Sequence, residues 1–314
     1  MAVALAPDQA IFDNISLVRI GARFMDDRQE CIRWCRQYGL LATQMVCPTC
    51  RRHCREQALD RAVDGVTWRC PVKACKKRFS IRRGSFFEKS HLQLWQLLGL
   101  TYLWCRSAGK SRGVSVEDAQ HELQIGSEHS IVDWNQYCRD IAVSHFLNNP
   151  VQIGGPRHIV EIDESLFSRR KYNRGRIVPE QWIFGGYDPA TKEGFLLPVP
   201  RRNAATLMPL IIQWVRPGTE IWSDMWGAYN GIAAPGFQHD VVNHQYNFVD
   251  PNTGVTTNHV EAMWQWAKAK FKSMFGPTNR DMIPDYLAEF MWNQRFKEHS
   301  YFHFWTQVTQ QYPV

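Results

Sequence analysis

Residues 158–163 read His-Ile-Val-Glu-Ile-Asp, and Glu164 follows directly. Val160 and Ile162 alternate with Glu161 and Asp163, the period-two pattern of a strand that ends on a carboxylate. The same grammar continues downstream. Gln181–Tyr187 and Gly194–Val199 read as strands joined by the turn Asp188-Pro-Ala-Thr-Lys-Glu193, Ala204–Val215 as an apolar helix, and Glu220–Asp224 as another strand ending on a carboxylate. His239–His244 makes a short strand. Asn258 can cap a helix in which Val260, Met263, Trp264, Ala267 and Phe271 recur at helical spacing, with Gly276-Pro277 as its stop. Strands interleaved with helices predict an α/β sheet. Ile283–Gln311 reads as helical and aromatic-rich, suited to core packing or a dimer surface.

Upstream, Asn148-Asn-Pro150 and Gly154-Gly-Pro156 form a turn-rich joint. Before it, Leu92, Trp95, Leu98, Leu100, Tyr102 and Leu103 give a helical pattern that Gly109-Lys-Ser-Arg-Gly113 breaks. Ser115-Val-Glu-Asp118 matches a capping box for a short helix through Leu123. Gly126 turns the chain, and Ser127 can cap a third helix carrying Ile131, Trp134, Tyr137, Cys138, Ile141 and Ala142 on one face. This is helix-turn-helix grammar, although a plain three-helix packing unit reads the same way. In a DNA-binding module the exposed start of the third helix, with Ser130 and Asn135, would enter the major groove. Near the N-terminus, Asp26-Asp27 and Gly39 bracket a short helix containing Cys31, Ile32, Trp34 and Cys35.

Cys47-Pro-Thr-Cys50 and Cys70-Pro-Val-Lys-Ala-Cys75 are two cysteine pairs 19 residues apart, with the strand-like Val66–Arg69 entering the second. Four thiolates at this spacing suit a structural Zn²⁺ in a zinc ribbon, while His53 or Cys54 could replace one of them. Nine cysteines clustered this way favour metal ligands or buried thiols over a disulfide framework. The chain of 314 residues has a formal net charge of +7. Residues 51–112 alone carry 15 basic and 4 acidic side chains, which predicts a polyanionic partner. Lys76, Lys77, Arg78, Arg82 and Arg83, and further on Arg169, Arg170, Lys171, Arg174 and Arg176, are the candidate DNA contacts. No apolar stretch is long enough to span a bilayer, and residues 1–10 make a poor secretory signal, so an intracellular protein with no membrane partner is expected.

Asp163 and Asp224 end predicted strands, and Glu261 stands in the first turn of a helix 37 positions beyond Asp224. Three convergent carboxylates supply hard oxygen ligands for two Mg²⁺ or Mn²⁺ ions, the equipment for phosphoryl transfer. Glu161 shares a strand face with Asp163, and Glu164 is adjacent, so these residues alone leave the first ligand open. Lys268, seven positions after Glu261, projects from the same helical face.

From about Cys47 to Asn293 the chain resembles the Merlin superfamily of DDE transposases and their ISXO2-like bacterial relatives. The resemblance rests on Cys47-Pro-Thr-Cys50, Trp68-Arg-Cys70, Phe79-Ser80, Val160-Glu-Ile-Asp163-Glu, Lys171-Tyr-Asn-Arg-Gly-Arg176, Trp182-Ile-Phe-Gly-Gly186, Trp222-Ser-Asp224-Met-Trp-Gly-Ala-Tyr229 and Asn258-His-Val-Glu261. It implies a ribonuclease-H-like catalytic core, a mixed sheet flanked by helices, preceded by a zinc ribbon and a helix-turn-helix region. It also implies that Asp163, Asp224 and Glu261 form the metal-binding triad, with Lys268 as the accompanying basic residue. The expected activity is metal-dependent hydrolysis at element ends, followed by attack of the freed 3′-hydroxyl on target DNA.

The expected organisation is an N-terminal helical segment (1–45), a zinc ribbon (46–88), a helix-turn-helix domain (89–150) and a catalytic domain with C-terminal helices (151–314). The expected partners are double-stranded DNA, as terminal inverted repeats and target, and a second copy of the chain in a synaptic homodimer. The expected location is the nucleus in a eukaryotic host, or the cytoplasm and nucleoid in a bacterial one. Two alternatives are a catalytically silent, domesticated DNA-binding descendant and a plain ribonuclease-H-like nuclease without strand transfer.

Overall fold

A computed structural model describes residues 6–107, 114–168, 180–244, 246–274 and 280–314. They fall into two compact units, one from residues 6–107, 114–141 and 296–314 and the other from 142–295.

The first unit opens with three short helices, α1 (Gln9–Asp13), α2 (Leu17–Phe24) and α3 (Arg28–Gln37). Each starts where a side-chain oxygen accepts an otherwise orphaned backbone N–H: Asp8 from Ile11, Ser16 from Arg19 and Asp27 from Glu30. An antiparallel meander follows, β1 (Arg55–Ala58), β2 (Val66–Arg69) and β3 (Arg78–Ser80). Next come α4 (Leu94–Arg106), α5 (Val116–Leu123) and α6 (Glu128–Asn148), the last running across the division between the units. A Cβ at Gly99 would lie 2.4 Å from Leu123 Cδ2, so the glycine is what lets α4 and α5 approach so closely. Ile131, Trp134, Cys138 and Ile141 are buried on α6, whereas Tyr137 is 47% exposed, its ring edge-on to Trp134 at the rim of the expected apolar face.

The second unit is built on β4 (Ile159–Ser168), β5 (Gln181–Asp188), β6 (Glu193–Val199), α7 (Ala204–Trp214), β7 (Glu220–Asp224), β8 (Gln238–Val242), α8 (Asn258–Met274) and α9 (Ile283–Phe296). The sheet order is β6-β5-β4-β7-β8. It is mixed: β4, β5 and β6 pair antiparallel, while β7 and β8 run parallel to β4. Val160 and Ile162 point to one face and Glu161 and Asp163 to the other. In register with Ile162 lie Gly186 and then Phe195, whose ring packs 5.4 Å from Trp214 of α7. The acidic face is covered by α8.

Two local expectations change. Asp163 is not at the end of its strand: pairing with β5 continues through Glu164, Ser165 and Leu166 and, after a register shift, to Ser168. Asn258 is the first residue of α8 and not its cap; the orphaned N–H groups of that turn point instead at Glu161.

The helical tail also divides. Helix α9 belongs to the sheet unit, but α10 (Ser300–Gln311) groups with the N-terminal unit. The cause is aromatic: Phe304 and Trp305 meet Phe86 at 5.9 and 6.2 Å, and Tyr301 meets Phe12 at 5.9 Å. Tyr301 Oη also donates to the carbonyl of Leu98 at 3.1 Å.

Candidate functional site

Strand β4 and helix α8 meet residue by residue. Glu161, fully buried, accepts from the backbone N–H groups of His259 and Val260 at 2.8 and 3.0 Å, and pairs with His259 Nδ1 at 2.6 Å. Two positions on, Asp163 Oδ2 accepts from the indole N–H of Trp264 at 3.1 Å. Two further on, Ser165 Oγ accepts from Lys268 Nζ at 2.6 Å, and the ammonium lies 5.6 Å from the Phe167 ring centre. Gly185, opposite Asp163 in β5, leaves room for the Trp264 indole, which a Cβ there would meet at 2.6 Å. Glu161 is thus spent on holding the start of α8, which leaves Asp163 as the acid this face presents.

Asp224 and Glu261 are both brought within electrostatic reach of Asp163. Burial, above all, raises Asp163 to about 7; the backbone N–H of Glu164 offsets part of this, and the charges of Glu164, Asp224 and Glu261 add to it. Asp224 ends β7, and its Oδ1 accepts the backbone N–H of Trp226 at 2.9 Å. In the first turn of α8, Glu261 Oε1 accepts from Thr257 Oγ1 at 3.0 Å, and His244 Nε2 lies 3.6 Å from the same oxygen. These acids are not drawn into one tight shell. Among the described residues, only four cysteines place three or more ligand atoms within 4.8 Å of one another. The donor set nonetheless fits a divalent ion: it offers hard oxygen ligands, with the charges of Asp224 and Glu261 both acting on Asp163. Lys268 lies near Asp163, and burial pushes its ammonium below the usual lysine range.

Three further residues border the acids: Glu164, which the sequence left open as a ligand, and Arg202 and His244, which it did not single out. Glu164 is raised to about 7, first by burial and further by Asp224, against the opposing effects of the Tyr229 hydroxyl and Arg202. Its Oε1 is buried with no hydrogen-bond partner among the described residues. Arg202, in the loop between β6 and α7, has its guanidinium carbon 4.4 Å from the Trp182 ring centre and 4.5 Å from that of Trp226. His244 also meets Thr257 Oγ1 at 2.8 Å. The only sequence signal for the arginine was a pair of tryptophans, Trp182 and Trp226, inside motifs read for their acids and glycines.

The second centre lies in the first unit. Cys47, Cys50, Cys70 and Cys75 bring their sulfurs together, with Cys47 to Cys75 at 3.7 Å and Cys50 to Cys70 at 3.3 Å. Tetrahedral Zn²⁺ with Zn–S near 2.3 Å sets sulfurs about 3.8 Å apart, so this cluster could hold structural zinc. The two turns are built alike despite unequal spacing. Cys47 N donates to the carbonyl of Arg52 and Cys70 N to that of Lys77, both at 2.9 Å. The residue after each second cysteine is left-handed, Arg51 at φ 56° and Lys76 at φ 48°. The extra residues of the second pair are absorbed in the turn that Cys75 N closes on Val72 O at 2.9 Å. Backbone N–H groups of Cys50 and Thr49 pull the Cys47 thiol down to about 6, whereas burial pushes Cys70 up to about 12. His53 and Cys54 are outside the set.

The basic candidates separate by exposure. Lys76, Lys77, Arg78 and Arg83 are exposed, with Lys77 Nζ donating to Thr49 Oγ1 at 3.0 Å and Arg83 lying 5.2 Å from the Phe79 ring centre. Arg82 is a correction: it is 2% exposed, bound through two nitrogens to Asp64 at 2.8 and 2.6 Å, and donates to the Leu92 carbonyl. It is a buried strut, unavailable to DNA. Ser130 and Asn135 are half-buried on α6. Arg169, Arg170, Lys171, Arg174 and Arg176 lie outside the described residues.

Residues 155–295, which span the acids and α8, match the model of the ISXO2-like transposase domain. The chain is 27% identical over 185 residues to male abnormal protein mab-31 of Caenorhabditis elegans, covering 52% of this chain and 40% of that protein. It is also 27% identical over 94 residues to an uncharacterized transposase-like protein of Haemophilus influenzae, covering 30% of this chain and 74% of that one. The match therefore spans less than half of the nematode protein.

Proposed function

From the match of residues 155–295 to the ISXO2-like transposase domain, we propose that the protein is a DDE-type DNA transposase with a ribonuclease-H-like core of the Merlin type. Asp163, Asp224 and Glu261 would hold two Mg²⁺ or Mn²⁺ ions. The observation that carries the reading is the placement of three acids from β4, β7 and α8: Asp163 held by Trp264, Asp224 ending β7 and Glu261 in the first turn of α8, both of the latter within electrostatic reach of Asp163. Bound ions would activate an attacking oxygen and stabilise the leaving one at a phosphodiester.

The chain's own residues do the rest. Asp163 is aimed by Trp264, Glu261 is set in place by the Glu161-held start of α8, and Lys268 puts a cation on the same face, where it can meet a phosphate. The cysteine cluster with exposed Lys76, Lys77, Arg78 and Arg83, and α5 and α6 as a helix-turn-helix, would bind the terminal inverted repeats. Two ends must be joined together, so the working form would be a homodimer on DNA.

The test is joining of a labelled terminal-repeat duplex to a plasmid in Mg²⁺ or Mn²⁺. Products made by the wild type and lost in Asp163→Ala, Asp224→Ala and Glu261→Ala are expected. Tight binding of the duplex by a wild type that never cuts would overturn the catalytic reading in favour of a silent DNA-binding descendant. Hydrolysis without joining would leave only a nuclease.

A further inference from the structure

We propose that Arg202 is a phosphate-binding residue that holds the backbone of the substrate DNA beside the acids; the proposal rests on the transposase reading above. Arg202 is an exposed cation that the fold fixes in place without neutralising it. Its guanidinium carbon lies 4.4 and 4.5 Å from the ring centres of Trp182 and Trp226, a pair of cation–π contacts that restrains the group. The guanidinium carries five N–H donors in a planar fork. Among the described residues none accepts a hydrogen bond from them and none forms an ion pair with them. A restrained, planar and uncommitted guanidinium is the donor geometry that matches two oxygens of one phosphate.

Its position ties it to the chemistry. The indole N–H of Trp226 donates to the Arg202 carbonyl at 3.2 Å, and the backbone N–H of the same tryptophan donates to Asp224 Oδ1 at 2.9 Å. One residue thus couples the arginine loop to the carboxylate that ends β7. The charge of Arg202 reaches Glu164, next to Asp163, so the cation sits where a polyanion approaching the acids needs one. A stacking site for an unpaired base is the weaker reading: Trp226 is 41% exposed, but the guanidinium already lies against its ring.

The experiment follows binding of a fluorescent terminal-repeat duplex to the full chain across a salt series. Arg202→Ala should weaken binding roughly tenfold, the size of one charged hydrogen-bonded contact, and reduce the slope of log K against log salt by about 0.9, one phosphate contact. Arg202→Lys should recover most of the slope. Because a variant can misfold, the second arm uses wild-type protein with neutral methylphosphonates placed one at a time along the duplex. One position should reproduce the tenfold loss and cost nothing further in Arg202→Ala. An unchanged salt slope in Arg202→Ala, or no sensitive position along the duplex, would overturn the phosphate assignment while leaving the transposase reading intact. A wild type that binds no DNA would remove both.

Discussion

Glu161 and His259 are 98 positions apart and joined twice, through the backbone N–H at 2.8 Å and the imidazole Nδ1 at 2.6 Å. With the Val260 N–H as a third donor, the fully buried carboxylate acts as an anion at the positive end of α8. Glu161→Gln puts an amide NH₂ where donors already converge. It should cost about 2 kcal/mol in urea unfolding and lower strand cleavage by loosening Glu261. A positioning role predicts both losses together. Abolished cleavage at unchanged stability would instead make Glu161 a metal ligand.

Gly185 and Trp264 give a second test of the same face. A Cβ at residue 185 would stand 2.6 Å from the indole, so Gly185→Ala must displace the ring that donates to Asp163. Overpacking of this kind costs roughly 1–3 kcal/mol. Trp264→Phe removes the donor but also some bulk. The double variant should therefore be more stable than the sum of the two singles predicts, measured as a coupling energy in a double-mutant cycle. Strict additivity would mean that the glycine serves something other than that ring.

The fold's order was legible in 158–164, in the hairpin and in the strand that ends on Asp224, because alternation and turn chemistry are local. The cysteine set was legible for the same reason. What the sequence hid was contact between distant residues. Glu161 reads like Asp163 until α8 is laid against it. Arg82 reads like its basic neighbours until Asp64 is brought to it, and Arg202 looks like one of two loop arginines until the chain folds Trp182 and Trp226 around it. Helix α10 carries the same aromatic composition as α9, and only its packing on Phe86 assigns it to the other unit.

Asp163 sets a pH dependence whose sign is fixed. Its folded value of about 7 lies above the ordinary 3.8 of an unfolded aspartate. Protonated Asp163 therefore favours the folded state most below pH 3.8, and that advantage is lost as pH rises to 7. In metal-free protein, Asp163→Asn should be more stable than the wild type at pH 8, by a few kcal/mol at most, and the gap should close toward pH 4. Since a divalent ion needs the carboxylate, Mg²⁺ or Mn²⁺ should raise the wild-type melting temperature more at pH 8 than at pH 6. An equal rise at both, or a rise retained in Asp163→Asn, would place the ion elsewhere.

Zinc can be tested in the other unit independently of catalysis. Four sulfurs, with pairs at 3.3 and 3.7 Å, are held close enough for one tetrahedral ion to bridge them. Purified protein should carry one zinc per chain by elemental analysis. Chelation should lower its melting temperature, because metal binding and folding of the ribbon are linked. Cys75→Ser should lose the zinc, and Cys54→Ser should keep it, since Cys54 lies outside the set and burial raises its thiol. The turns that the ion would lock also carry Lys76 and Lys77, so chelation should weaken binding of terminal-repeat DNA. Zinc retained by Cys75→Ser but lost from Cys54→Ser would exchange the fourth ligand.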